Sequence, residues 1–86
     1  MIIKKELIKR AVGNETVLIP VGRTLLENNG LFMMNELASF IWDLLPGAET
    51  EEDILRAVLA EYEVSEQKAR KDIGLFLDKL RKLDII

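Results

Sequence analysis

The hydrophobic positions along this 86-residue chain follow two different periods. In the first part, short runs of β-branched and aliphatic residues are separated by turns containing Gly or Pro, a pattern typical of strands. We predict strands at residues 7–12, 16–21 and 31–34. Gly13-Asn14 joins the first two runs and predicts a hairpin. Because three short strands cannot bury both faces of a sheet, helices must cover one of them.

The second part of the chain has apolar residues at helical spacing in three segments. Each segment begins at a residue that caps helix N-termini well, namely Asn35, Thr50 and Ser65. The third segment keeps an apolar stripe over about four turns, comprising Ala69, Ile73, Phe76, Leu77, Leu80 and Leu83. The predicted fold class is α+β, with three short antiparallel β-strands followed by three α-helices in a winged helix-turn-helix-like arrangement.

Composition excludes most catalytic chemistry. The chain has no Cys and no His, so thiol nucleophiles, imidazole bases and Cys/His zinc sites are absent, and we expect no cofactor. The length and a hydrophobic content of 49% predict a single domain over residues 1–86. No apolar run approaches the ~20 residues that span a bilayer, and the N-terminus is too short for a signal peptide. We therefore expect a cytoplasmic protein that is not an enzyme and has no membrane partner.

The third predicted helix carries one apolar residue that the buried stripe does not explain. At about 100° per residue, four lysines fall within about 40° of Leu75, namely Lys68, Lys71, Lys79 and Lys82. Asp72 and Asp78 lie at the margins of this surface. A solvated helix face with one scattered Leu gives the same pattern. Gly74 costs roughly 1 kcal/mol relative to Ala in a helix, and a close approach of another backbone would explain its presence.

An ordered set of short motifs resembles the PqqD family. The family pattern appears here as Met34-Asn35, Ile41-Trp42, Pro46-Gly47, residues 50–54, Tyr62-Glu63-Val64 and the final helix over residues 69–83. Residues 16–20 are similar to the second strand of the family, so the resemblance covers nearly the whole chain. Two positions depart from the pattern. Leu37 stands where Thr is frequent, and Asp84 stands where Gly commonly precedes the last aliphatic pair.

The resemblance implies that the chain binds the leader segment of a ribosomally synthesised precursor peptide. The leader would add as a strand beside the third strand, in a groove closed by the third helix, and would be presented to a modifying enzyme of the radical-SAM type. The peptide-binding residues expected from this mode are Leu31, Phe32, Met33, Met34, Lys68, Lys71, Leu75, Asp78, Lys79 and Lys82.

The alternative interpretation is a winged-helix protein that binds DNA. Gln67, Lys68, Arg70 and Lys71 lie near the start of the third helix, where they would reach bases and phosphates. Against this alternative, Asp and Glu exceed Lys and Arg by 15 to 12, and the predicted second helix is acidic. We therefore expect no nucleic-acid partner.

Overall fold

The structure, a computed structural model, describes residues 1–23 and 32–86. In these residues three strands are followed by three α-helices, which confirms the predicted α+β class. The strands are β1 (Leu7–Val12), β2 (Glu15–Pro20) and β3 (Phe32–Met34). The helices are α1 (Glu36–Leu44), α2 (Glu51–Glu61) and α3 (Glu66–Lys82), and one 3-10 turn (Leu45–Gly47) follows α1.

The sheet is antiparallel in the order β1-β2-β3, which leaves β3 at one edge. Gly13 adopts a positive φ of 63° in the turn of the hairpin, a conformation that glycine adopts without steric cost. Phe32 lies opposite Leu18 in the ladder, and Met34 lies opposite Thr16. Successive side chains of a strand point to opposite faces, so Phe32 and Met34 share the face of the buried Leu18. Met33 points to the other face and is half exposed.

Side-chain caps fix the starts of all three described helices. Asn35 Oδ1 accepts a hydrogen bond of 2.8 Å from the Ala38 backbone N–H, so α1 begins directly after β3. The Thr50 and Ser65 side chains accept from backbone N–H groups in the same way at α2 and α3. These caps are as predicted, and each satisfies a backbone donor that has no partner within its helix.

The core lies between the inner face of the sheet and the three helices. Its largest fully buried side chains are Leu18, Ile41, Leu45, Ile54, Val58, Ile73, Leu77 and Leu80. The prediction that Leu83 belongs to the buried stripe is wrong, because α3 ends at Lys82 and Leu83 is 39% exposed. Asp84 then turns the chain at a positive φ of 58°. Ile85 consequently folds back onto the core and is buried in place of Leu83.

Candidate functional site

A groove of about 410 Å³ lies between β3 and α3. All three residues of β3 form one side, and the first half of α1 contributes to the lining because Asn35 starts that helix next to the strand. The groove is lined by Phe32, Met33, Met34, Asn35, Leu37, Ala38, Ile41, Lys68, Asp72, Leu75, Phe76 and Lys79. Most of these side chains are apolar, so the groove suits an extended apolar segment better than a small polar molecule.

The edge of β3 gives the groove its hydrogen-bonding capacity. β3 pairs with β2 on one side, and no other strand of the described residues pairs with its outer edge. An unpaired strand edge presents backbone N–H and C=O groups that another extended chain can meet. The wall on the opposite side of the groove is a helix whose own backbone is already hydrogen-bonded, so it offers side chains alone.

The α3 wall combines an exposed apolar side chain with an aromatic contact. Leu75 is 61% exposed although it lies in the middle of the helix. The half-buried ring of Phe76 meets the ring of Phe32 edge-on, with 6.0 Å between the ring centroids. This contact joins α3 to β3 at the base of the groove. The exposed Leu75 therefore stands at the rim, where it remains available to an occupant.

The charges at the groove are partly neutralised. Lys68 Nζ lies 3.0 Å from Asp72 Oδ2, so these two groove residues compensate each other. Lys79 Nζ lies 4.8 Å from the centroid of the Phe32 ring, a cation–π arrangement, and it forms no ion pair with any residue in the described ranges. The groove therefore combines mostly apolar side chains with a compensated ion pair and, beside Phe32, one positive charge that no described carboxylate pairs.

The structure brings together six of the ten predicted binding residues, namely Phe32, Met33, Met34, Lys68, Leu75 and Lys79. Leu31 lies outside the described residues. The other three do not line the groove. Lys71 lines a separate depression near Ser65 and Gln67, the Asp78 carboxylate is held by Arg81 at 3.0 Å, and Lys82 is exposed at the end of α3.

The rotation of α3 explains this division. At about 100° per residue, Lys68, Lys79, Asp72 and Phe76 lie about 20°, 40°, 60° and 100° from Leu75 in one direction around the helix axis. On the same scale Lys82, Lys71 and Asp78 lie about 20°, 40° and 60° away in the other direction. Only the side that carries Phe76 turns toward β3, because Phe76 contacts Phe32. The sequence pattern is symmetric about Leu75 and did not distinguish the two sides.

Sequence reasoning missed several groove residues that it assigned to the core. Phe76 and Leu37 are half-buried rather than buried, and with Ala38 they line the groove. Their apolar character at helical spacing is the same signal that marks core residues, so periodicity alone did not separate the two roles. One sequence feature could have marked a groove residue. Leu37 is apolar at a position where Thr is frequent in the PqqD family.

A second depression, of about 640 Å³, lies on the other side of Met33 and Met34. Polar residues of the hairpin turn and of the start of α1 supply most of its lining, including Asn14, Glu15, Glu36 and Ser39. It is larger than the groove, but α3 contributes no residue to it, so no helix wall faces the strand there. The groove between β3 and α3 is therefore the candidate site.

Within residues 1–23 and 32–86, no three acidic side chains cluster closely enough to hold a metal ion. None of the helices in the same ranges combines the length and the apolar character needed to cross a membrane.

The chain belongs to the PqqD family. Residues 15–86 match the family described as coenzyme PQQ synthesis protein D (PqqD), which includes β2, β3 and all three described helices. This match establishes the family membership that the ordered motifs suggested. No curated protein matches the chain.

Two solved structures share the fold. TbiB1 in complex with the TbiA(beta) leader peptide is 27% identical, with a TM-score of 0.75 over 99% of this chain and 93% of that chain. Lasso peptide synthetase B1 complexed with the leader peptide is 22% identical, with a TM-score of 0.71 over 94% of this chain and 89% of that chain. Both neighbours were solved as complexes with a leader peptide.

Proposed function

We propose that this protein binds the leader segment of a ribosomally synthesised precursor peptide and presents it to a modifying enzyme. The observation that carries the proposal is the apolar groove between the outer edge of β3 and α3. The PqqD family membership and the likeness to TbiB1, solved with its leader peptide, support the same function. Following the family resemblance, we expect a radical-SAM enzyme as the partner and the cytoplasm as the location.

Binding would proceed by strand addition to β3. The leader would hydrogen-bond to the outer edge of β3 through its main chain, which provides affinity with little dependence on sequence. Alternate leader side chains would point into the groove, because side chains along a strand alternate between the two faces. There they would meet Leu75, Phe76 and Leu37, so apolar leader residues would become buried on binding.

We propose that the protein contributes recognition and that the partner enzyme contributes catalysis. The polar side chains of the groove are Asn35, Lys68, Asp72 and Lys79. Asn35 is engaged as the cap of α1, and Lys68 is paired with Asp72. Together with Lys79, which lies over the ring of Phe32, these groups would attract and orient a peptide, and the proposal assigns them no acid–base step.

A titration followed by amide chemical shifts tests this function. The probe is a synthetic leader peptide of a candidate precursor, chosen by reading the genes that neighbour the gene for this protein. We expect the largest shift changes in Phe32–Met34 and along the groove side of α3, because these residues would gain contacts. Changes confined to α2, on the far side of α3, would contradict the proposed site.

Substitution of Leu75 by Glu makes the same test quantitative. Burial of an apolar side chain contributes roughly 1.5–3 kcal/mol, so Leu75→Glu should weaken leader binding at least about tenfold. The variant should remain folded because Leu75 is 61% exposed. Leu83→Glu is the matched control, since Leu83 is also partly exposed and lies at the end of α3 outside the groove lining. Wild-type affinity in folded Leu75→Glu would overturn the groove as the binding site.

A further inference from the structure

Lys79 is the groove residue whose charge no described side chain balances. Three other cations of α3 form ion pairs: Lys68 with Asp72, Arg70 with Glu52 and Glu66, and Arg81 with Glu51 and Asp78. Lys71 and Lys82 form none with the described residues, but neither lines the groove. Lys79 instead lies over the ring of Phe32 and lines the groove, although its side chain is exposed. This contact places the ammonium group beside Phe32 of the edge strand.

The position of Lys79 determines which residue of an added strand would contact it. A strand that pairs with the edge of β3 lies about 4.8 Å from it, and the residue opposite Phe32 points to the same face as Phe32. Phe32 faces α3, as its ring contact with Phe76 shows. The side chain opposite Phe32 therefore enters the groove next to Lys79 Nζ, where a carboxylate would balance the unpaired charge.

The distance from Lys79 to Leu75 fixes where the apolar residue of the same strand would lie. The two residues are one helical turn apart, so they are separated by about 6 Å along the axis of α3. Alternate residues of a strand are separated by about 6.6–6.8 Å and point to the same face. The groove lining follows α3 from Lys68 to Lys79. Two groove-facing residues at positions i and i+2 of a strand that runs along this lining would thus meet Lys79 and Leu75 in turn.

We propose that the groove selects peptides in which an acidic residue and a large apolar residue are two positions apart. The acidic side chain pairs with Lys79, and the apolar side chain packs on Leu75 and the neighbouring Phe76. Either order along the peptide satisfies the geometry, because an added strand can run parallel or antiparallel to β3. This inference rests on the proposed peptide-binding function and adds the sequence preference of the site.

Selection from a displayed library of random twelve-residue peptides, with the whole protein as bait, tests the inference. We expect enriched sequences to share an acidic and a large apolar residue at i and i+2. With Lys79→Glu as bait, the ratio of acidic to basic residues at that position should fall at least tenfold. Lys82→Glu is the matched control, because it makes the same charge change on an exposed residue of α3 outside the groove lining, and it should retain the acidic preference.

The outcomes separate failure of this inference from failure of the proposed function. Enriched peptides that lose binding to Leu75→Glu but show no acidic residue two positions from the apolar one would overturn the inference and leave peptide binding in the groove intact. An acidic preference reduced equally by Lys79→Glu and Lys82→Glu would also overturn it, because net charge rather than contact would be responsible. Peptides that bind Leu75→Glu normally, or a failure to enrich any peptide, would contradict the proposed function itself and the inference with it.

Discussion

At the scale of single residues, Gly74 is a glycine in the interior of α3. We expected a close backbone approach to explain its presence there. A Cβ atom built at Gly74 meets no described atom within 4 Å, so none of the described residues makes that approach. Gly74 lies about 100° from Leu75 on the side away from Phe76, and therefore away from the groove. Glycine lowers the stability of a helix relative to alanine. Among the described residues, Gly74 makes no close packing contact that would compensate for this cost.

Substitution of Gly74 by Ala should therefore stabilise the protein. Alanine reduces the conformational freedom of the unfolded chain and favours the helix, so we expect a gain of about 0.5–1 kcal/mol in the free energy of unfolding, measured by urea denaturation. Gly13→Ala is the matched control, because its added Cβ also meets open space but its φ is +63°, so this variant should lose stability. Destabilisation by Gly74→Ala would show that the backbone at this position needs glycine.

At the scale of elements, the helix starts were the most predictable part of the fold. Asn35, Thr50 and Ser65 each cap the helix that the sequence assigned to them, because capping depends on residues within one turn of each other. The β1 bounds were also predicted as observed, and β2 was displaced by one residue. The groove side of α3 was not predictable, since it depends on the contact between Phe76 and Phe32, which are far apart in sequence.

The capping box of α2 makes the stability of this element depend on pH. Asp53 Oδ2 accepts hydrogen bonds from the backbone N–H groups of Glu49 and Thr50, at 3.0 and 3.2 Å. These bonds, together with the nearby Arg56, lower the pKa of Asp53 below its ordinary value of 3.8. The native state then binds this proton more weakly than the unfolded chain does. The stabilisation is therefore present above pH 4 and is lost as the pH falls through the ordinary pKa toward the lowered one.

Asp53→Asn should expose this dependence. The variant lacks the titrating carboxylate, so we expect it to be less stable than the wild type at pH 7 and the difference to shrink by pH 3. Ser65→Ala is the control, because it removes a capping hydroxyl at the start of α3 that does not titrate and has no bond to Asp53, and it should cost about 1 kcal/mol at both pH values. Urea denaturation at the two pH values measures both variants. A wild-type advantage over Asp53→Asn that persists unchanged at pH 3 would contradict the assignment.

At the scale of the whole molecule, local patterns predicted the fold class, whereas the predicted function came from the resemblance to the PqqD family. Three strands followed by three helices follow from local patterns, and that architecture suits either a peptide or a DNA duplex as the ligand. The distinction depends on how charges are paired across elements. Arg70 on α3 is held by Glu52 of α2 at 2.5 Å and by Glu66 of its own helix at 3.2 Å. Local sequence patterns could not predict that Glu52 lies opposite Arg70, because this pairing depends on how α2 and α3 cross.

This pairing leads to a prediction about DNA. A recognition helix needs cations that are free to contact phosphates and bases, yet Arg70 and Lys68 near the start of α3 are both engaged by carboxylates. The hydrogen bond from Arg70 also lowers the pKa of Glu52, whose carboxylate is ionised at neutral pH in any case. We therefore expect no binding to a random duplex at about 0.15 M salt, measured by fluorescence anisotropy.

A variant that frees Arg70 provides the comparison. Glu52→Gln combined with Glu66→Gln removes both partners and changes the formal net charge from −3 to −1. Any duplex binding seen at low salt should be stronger in this variant, because the guanidinium would then be available to phosphates. The contrary result would be tight binding of the wild type to duplex DNA, with an affinity that falls steeply as the salt concentration rises. It would show that DNA phosphates displace the carboxylates from Arg70. In that case the start of α3, rather than the groove beside β3, would be the principal binding surface.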